Sequence, residues 1–161
     1  MSLPLIVLER DGHWAAALRR EFDDGVFPIV EARSWDEMWQ VVDKMPAALV
    51  AVELSAADPE RMLVALSRIE RRHPQAALIV LADRRLAPYR DLFLEAGALH
   101  FITSPRRLNG IRGILRRRAA RFPASAVGDR LEEIRNNLPW SELGAEDWGL
   151  GTRDASSPSN D

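Results

Sequence analysis

The chain has 161 residues, 47% of them apolar, and a formal net charge of −2. That length suits one ordinary domain with an appendage, and that apolar share builds a packed core rather than a disordered chain. Cysteine is absent, which excludes disulfides, thiolate chemistry and cysteine-bound zinc.

Residues 3–8 form a continuous apolar run that ends in Glu9-Arg10-Asp11-Gly12. Such a run suits a strand buried on both faces. Trp14, Ala17, Leu18 and Phe22 then recur at helical spacing, and Asp23-Asp24-Gly25 is expected to stop that helix. Residues 27–32 read as a short strand whose early proline, Pro28, suits a sheet edge. Ser34-Trp35-Asp36-Glu37 has the form of a capping box and opens a helix with Trp35, Met38, Trp39, Val42 and Met45 inward.

Residues 47–52 are the next buried strand, closed by Glu53-Leu54. Asp58-Pro59 is an N-cap followed by proline at the first helical position. The helix it opens carries Met62, Leu63, Leu66 and Ile69 on its apolar stripe and runs to His73-Pro74. Residues 76–82 are a fourth strand, 86–96 a helix bearing Leu92, Phe93 and Ala96, and 99–102 a fifth strand. A basic helix over 108–121 turns Leu108, Ile111, Ile114 and Leu115 inward. Strand and helix alternate five times. That order predicts an α/β fold, a doubly wound five-stranded parallel sheet with helices on both faces.

The composition changes after Phe122-Pro123. The sequence therefore divides into an α/β domain over 1–122, a helical extension over 123–140 and an acidic tail over 141–161. Val127, Leu131, Ile134 and Leu138 mark an apolar face in the extension. The tail reads as flexible by composition, although Trp140, Leu143, Trp148 and Leu150 punctuate it. Residues 129–161 hold eight acids and three arginines, while 106–121 hold seven arginines and no acid.

Several segments carry a resemblance. Residues 5–11 read L-I-V-L-E-R-D, 48–54 read A-L-V-A-V-E-L, and 95–105 read E-A-G-A-L-H-F-I-T-S-P. In layout and in these phrases, residues 3–121 resemble the receiver domain of bacterial two-component response regulators, a flavodoxin-like fold. The last segment, with Gly97-Ala98, Phe101 and Pro105 in step, is the most specific. The resemblance implies a crevice at the strands' carboxyl ends holding an acidic pair that binds magnesium, a phosphoacceptor aspartate, a hydroxyl and a lysine. Here Glu9 keeps one acid, Arg10 stands at the main metal ligand, Glu53 at the aspartate, Ala82 at the hydroxyl and Ser104 at the lysine. A cation at the metal position opposes magnesium, and the other three changes remove the nucleophile's usual reach and both phosphate-binding groups. The expectation is a degenerate receiver, not an enzyme, with no metal or cofactor.

Glu53 reads either as a mimic of the phosphorylated state or, the favoured reading, as an ion-pair partner of Arg10. Asp11 is expected to cap the following helix rather than to join Glu9 around a metal. His13, His73 and His100 share no ligand spacing. The resemblance also implies a contact face over 84–121, with Tyr89, Arg90, Arg106, Arg107 and Arg112 as partner-binding candidates. Trp140 and Trp148 are candidates as docking anchors, since tryptophan is enriched where binding energy concentrates. The 106–121 helix is one candidate surface for them.

The function expected is a phosphorylation-independent regulatory or scaffold module that binds protein partners, a second copy of itself included. The alternatives are a phosphoacceptor with an atypical site, and a nucleic-acid or ligand-binding module using the arginine-rich helix. Nucleic acid is disfavoured, because no helix-turn-helix, zinc pattern or interleaved aromatics accompany the arginines. No apolar run approaches the roughly 20 residues that cross a bilayer. The N-terminus meets charge early and lacks a basic start, so no signal peptide is expected. A cytoplasmic location is the default.

Overall fold

The computed structural model describes residues 3–22 and 27–121, apart from the side chains of Asn109 and Ala119. The expected helix over 125–138, the tail beyond it and the Asp23-Asp24-Gly25 stop lie outside the described residues. Five strands are present: β1 (Leu5–Leu8), β2 (Ile29–Ala32), β3 (Leu49–Glu53), β4 (Ala77–Leu81) and β5 (His100–Ile102). The helices between and after them are α1 (His13–Glu21), α2 (Trp35–Lys44), α3 (Pro59–Arg72), α4 (Arg90–Glu95) and α5 (Asn109–Arg121).

All four strand pairings are parallel, in the order β2-β1-β3-β4-β5. This is the flavodoxin-like arrangement that the alternation predicts. β1, β3 and β4 are interior strands, and every residue of β1 and β4 is buried. Their apolar runs are continuous because both faces are covered. One core packs Ile6, Val50, Val52, Leu78 and Val80 against Met38, Val42, Met62, Leu66 and Phe93 of α2, α3 and α4. The other packs Leu5, Val7, Leu49, Ile79 and Leu81 against Trp14, Leu18, Ile111 and Leu115 of α1 and α5.

The helix starts follow their sequence signals. The Ser34 hydroxyl accepts the Glu37 N–H at 3.2 Å, and the Glu37 carboxylate returns the bond to the Arg33 N–H at 2.6 Å. Asp58 accepts the Arg61 N–H at 3.2 Å, with Pro59 opening α3. Gly97, at φ 99°, ends α4. Ala98 N–H donates to Phe93 O and Gly97 N–H to Leu94 O, the paired bonds of a Schellman motif. The Gly97-Ala98 signature thus sets how the chain enters β5.

One element departs from expectation. The helix expected over 86–96 begins as a 3-10 segment, Arg84–Tyr89, and becomes α-helical only at Arg90. Pro88 lies inside the 3-10 segment and has no N–H to give to an α-helical ladder. Of the apolar residues on this helix, Phe93 is fully buried and Leu92 is 47% exposed.

Trp35 and Trp39 are partly buried against the first core rather than inside it. The Arg61 guanidinium lies 5.1 Å from the Trp35 ring and that of Arg68 lies 4.1 Å from the Trp39 ring. The two contacts stitch α3 to α2, each worth about 0.5–1 kcal/mol. His73 stacks on the other side of this seam, 6.3 Å from Trp39, with Nε2 3.1 Å from Asp43.

Phe93 holds the short α4 to the sheet and stacks on Phe101 at 6.2 Å. Phe93→Ala should cost about 3–5 kcal/mol. Urea denaturation checks this, and a loss below about 1 kcal/mol would mean that α4 is held by other contacts.

Candidate functional site

Register brings the site residues together. Leu8 pairs with Val52, Val52 with Val80, and Leu81 with Ile102. Glu9, Glu53, Ala82 and Ser104 therefore follow one another along the carboxyl edge of the sheet, where open α/β folds carry their sites.

Glu9 is the most constrained of them. It is buried, and its two carboxylate oxygens accept the N–H groups of Trp14 at 2.8 Å and Ala15 at 2.6 Å. These are free donors of the first turn of α1. The bonds require the chain to turn back at Gly12, whose φ of 77° suits glycine. The expectation that Asp11 caps α1 is therefore corrected. Asp11 is exposed, the N-cap position is Gly12, and the cap comes from Glu9.

The Arg10–Glu53 pairing takes a different form from the expected ion pair. The Arg10 main-chain N–H donates to Glu53 Oε2 at 2.9 Å. The Arg10 side chain is exposed, and its guanidinium pairs with no carboxylate among the described residues. The bond still ties the ends of β1 and β3 together, but through backbone.

Ala82 is fully buried in the first core and presents a methyl group only. Ser104 is buried, and its Oγ accepts the Arg106 N–H at 3.3 Å while its carbonyl accepts the Arg107 N–H at 3.0 Å. Its role in the structure is to form the turn into α5.

A cleft of about 690 Å3 lies over this edge. Glu9, Arg10, Glu53 and Asp83 line it, and it extends to Arg33 and Trp35 at the start of α2, while Ala82 and Ser104 are not in its wall. The Arg85 N–H, with its guanidinium adding, holds the Asp83 carboxyl below the usual range. The donor set does not fit magnesium, which takes near-ideal octahedral oxygen ligands. Both oxygens of Glu9 already accept N–H bonds, one oxygen of Glu53 does, and the next position is a cation.

The second group of candidates falls on the α4–β5–α5 face. Tyr89 is 41% exposed, Arg90, Arg106 and Arg107 are exposed, and Arg112 is half-buried. Trp140 and Trp148 lie outside the described residues. Two further residues of this face were missed from sequence. Leu92 and Leu99 are exposed, so three of the four large exposed apolar side chains among the described residues fall within positions 89–99. For Leu92 the available signal was helical spacing, since a residue next to the inward Phe93 is turned about 100° from it. His100, in β5, is half-buried, and burial followed by the charge of Arg90 lowers its pKa below the ordinary histidine value.

No protein-family model matches the chain, and no curated protein does either. Solved structures do. A CheY-like protein, TadZ, from Pseudomonas aeruginosa matches at TM-score 0.60 and 18% identity, covering 72% of this chain and 98% of its own. A response regulator from Thermotoga maritima matches at 0.56 and 20% identity, with 73% and 98% covered. A putative pilus assembly-related protein from Burkholderia pseudomallei matches at 0.53 and 20%, with 73% and 90% covered. At these identities the likeness establishes the fold: this chain has the CheY-like receiver fold.

Two outcomes check the site. Glu9→Ala should lower stability by about 1–2 kcal/mol through loss of the α1 cap, whereas Arg10→Ala should change the urea midpoint little. Stability should also fall as pH drops below about 6.5, the ordinary histidine pKa. Unfolded His100 takes up a proton there and folded His100, its pKa lowered, does so only at lower pH. His100→Gln should flatten that part of the pH profile. An unchanged profile would assign it to other groups.

Proposed function

We propose that this chain is a receiver-fold regulatory or scaffold module that binds protein partners without aspartyl phosphorylation and catalyses no reaction. The observation that carries the reading is the state of Glu9. The one family acid retained beside the metal position spends both carboxylate oxygens on the α1 backbone. Phosphoryl transfer to an aspartate needs a metal to offset charge, a nucleophile at the right reach and groups that bind the phosphoryl oxygens. Here an arginine, a glutamate, a buried methyl and a turn-forming serine hold those positions. The crevice then acts as a fixed structural joint.

The working surface in this reading is the α4–β5–α5 face. Tyr89 and Leu92 are three residues apart and share a side of their segment. The exposed Tyr89, Leu92 and Leu99, with the exposed Arg90, Arg106 and Arg107 of the same stretch of chain, have the aromatic-and-arginine character that interface cores favour. Such a face suits a protein partner or a second copy of the chain.

Two measurements test this. Incubation with a small phosphodonor and magnesium should leave the intact mass unchanged, and a stable adduct on Glu53 would overturn the reading. Tyr89→Asp with Leu92→Asp should weaken partner binding or self-association at least tenfold while leaving the circular dichroism spectrum intact. If both variants bind as the parent does, the functional surface is elsewhere.

A further inference from the structure

The outer face of α3 carries a groove that the receiver reading leaves without a use. Val64 is 67% exposed, the most exposed large apolar side chain among the described residues. With Leu63 it floors a groove of about 530 Å3, walled by Ser67, Arg68, Arg71 and Arg72, with no acid in the lining. Two of these cations are held in place by uncharged partners. Arg68 lies over Trp39, and Arg71 Nε donates to Ser67 Oγ at 3.1 Å. Among the described residues, no carboxylate is within ion-pair distance of Arg68, Arg71 or Arg72.

Among the described residues, the other helices differ from α3 in this respect. The short α4 sets its exposed Leu92 between Asp91 and Glu95. The α5 helix carries arginines but, among the described residues, no large exposed apolar side chain. An apolar floor inside a wall of arginines fits an acidic peptide with an apolar anchor. The chain holds such a segment itself. Residues 141–150 read S-E-L-G-A-E-D-W-G-L, with three acids, no cation, and Leu143, Trp148 and Leu150 as anchors.

The connection is long enough. Arg118 donates to the carbonyl of Gln75, three residues past the end of α3, so α5 reaches the same end of the sheet as the arginine end of α3, from the opposite face. With residues 125–138 helical as their pattern predicts, positions 121 to 148 still span up to roughly 65 Å. The α3 helix is only about 21 Å long.

We propose that residues 141–150 dock in cis on the α3 groove, with Trp148 and Leu150 on the Leu63–Val64 floor and Glu146 and Asp147 against Arg71 and Arg72. Opposite charges steer the encounter, and the apolar anchors hold it. The docked segment covers α3 in the resting protein and leaves the α4–β5–α5 face open.

The cysteine-free sequence makes the test direct. In the full chain, Val64→Cys with Leu150→Cys should form an intramolecular disulfide under mild oxidation. Non-reducing electrophoresis should show it forming at least tenfold faster than in a control pair, Leu92→Cys with Leu150→Cys. Adding Arg71→Glu and Arg72→Glu should slow the first pair at least fivefold with no change in the circular dichroism spectrum. Equal rates for the two pairs, a faster Leu92 pair, indifference to charge reversal, or a product that links two chains would each overturn docking in cis. None of these outcomes depends on whether Glu53 can be phosphorylated.

Discussion

Burial of the central strands on both faces is the constraint from which the rest of this structure follows. β1 and β4 have no solvent-facing position, and β3 has none until Glu53. Polar side chains are therefore expelled to the strand ends, where Glu9, Glu53, Asp83 and Ser104 gather. Burying an unpartnered charge there is costly. Glu9 meets that cost with two backbone N–H groups and Glu53 with a third. Each bond that satisfies a carboxylate also joins two elements: β1 to α1, and β1 to β3. The same edge that could host chemistry is thus used to hold the sheet and its first helix in one geometry.

Much of the fold was legible in the chain. Continuous runs such as 77–81 have one reading once helices alternate with them. Ser34–Glu37 and Asp58-Pro59 cap the helices they precede, and Gly97-Ala98 forms the turn its signature implies. What stayed hidden depended on phase or on main-chain direction. The start of the fourth helix, which contains Pro88, is a 3-10 segment, and Leu92, next to the buried Phe93, is on the surface. Side-chain identity suggested a charge pair between Arg10 and Glu53, whereas the bond comes from the Arg10 amide, a group every non-proline residue would offer. The Glu9 cap needed Gly12 to fold the strand end back, a geometry that residue types alone do not display.

Substitutions at the crevice have separate physical effects. Ala82 fits a fully buried position that a hydroxyl would have to satisfy by hydrogen bonding. Ser104 places a turn where a long cationic side chain would have to leave a buried site. The Arg10 amide, Glu53 and Ser104 take part in hydrogen bonds at this edge, and Ala82 is packed beneath it.

The sheet's two borders bear on how the protein can meet others. β5 has only three residues, and β2 begins just after Pro28 and carries Glu31 between Arg19 and Arg33. Short strands and charged side chains at the rim discourage strand addition. An incoming polypeptide finds little exposed ladder to extend at either border. Among the described residues, the surface left for contact is made of side chains on helices and loops. Helix surfaces can change residue by residue without disturbing the backbone hydrogen bonds beneath them, which leaves partner choice free to diverge while the scaffold stays the same.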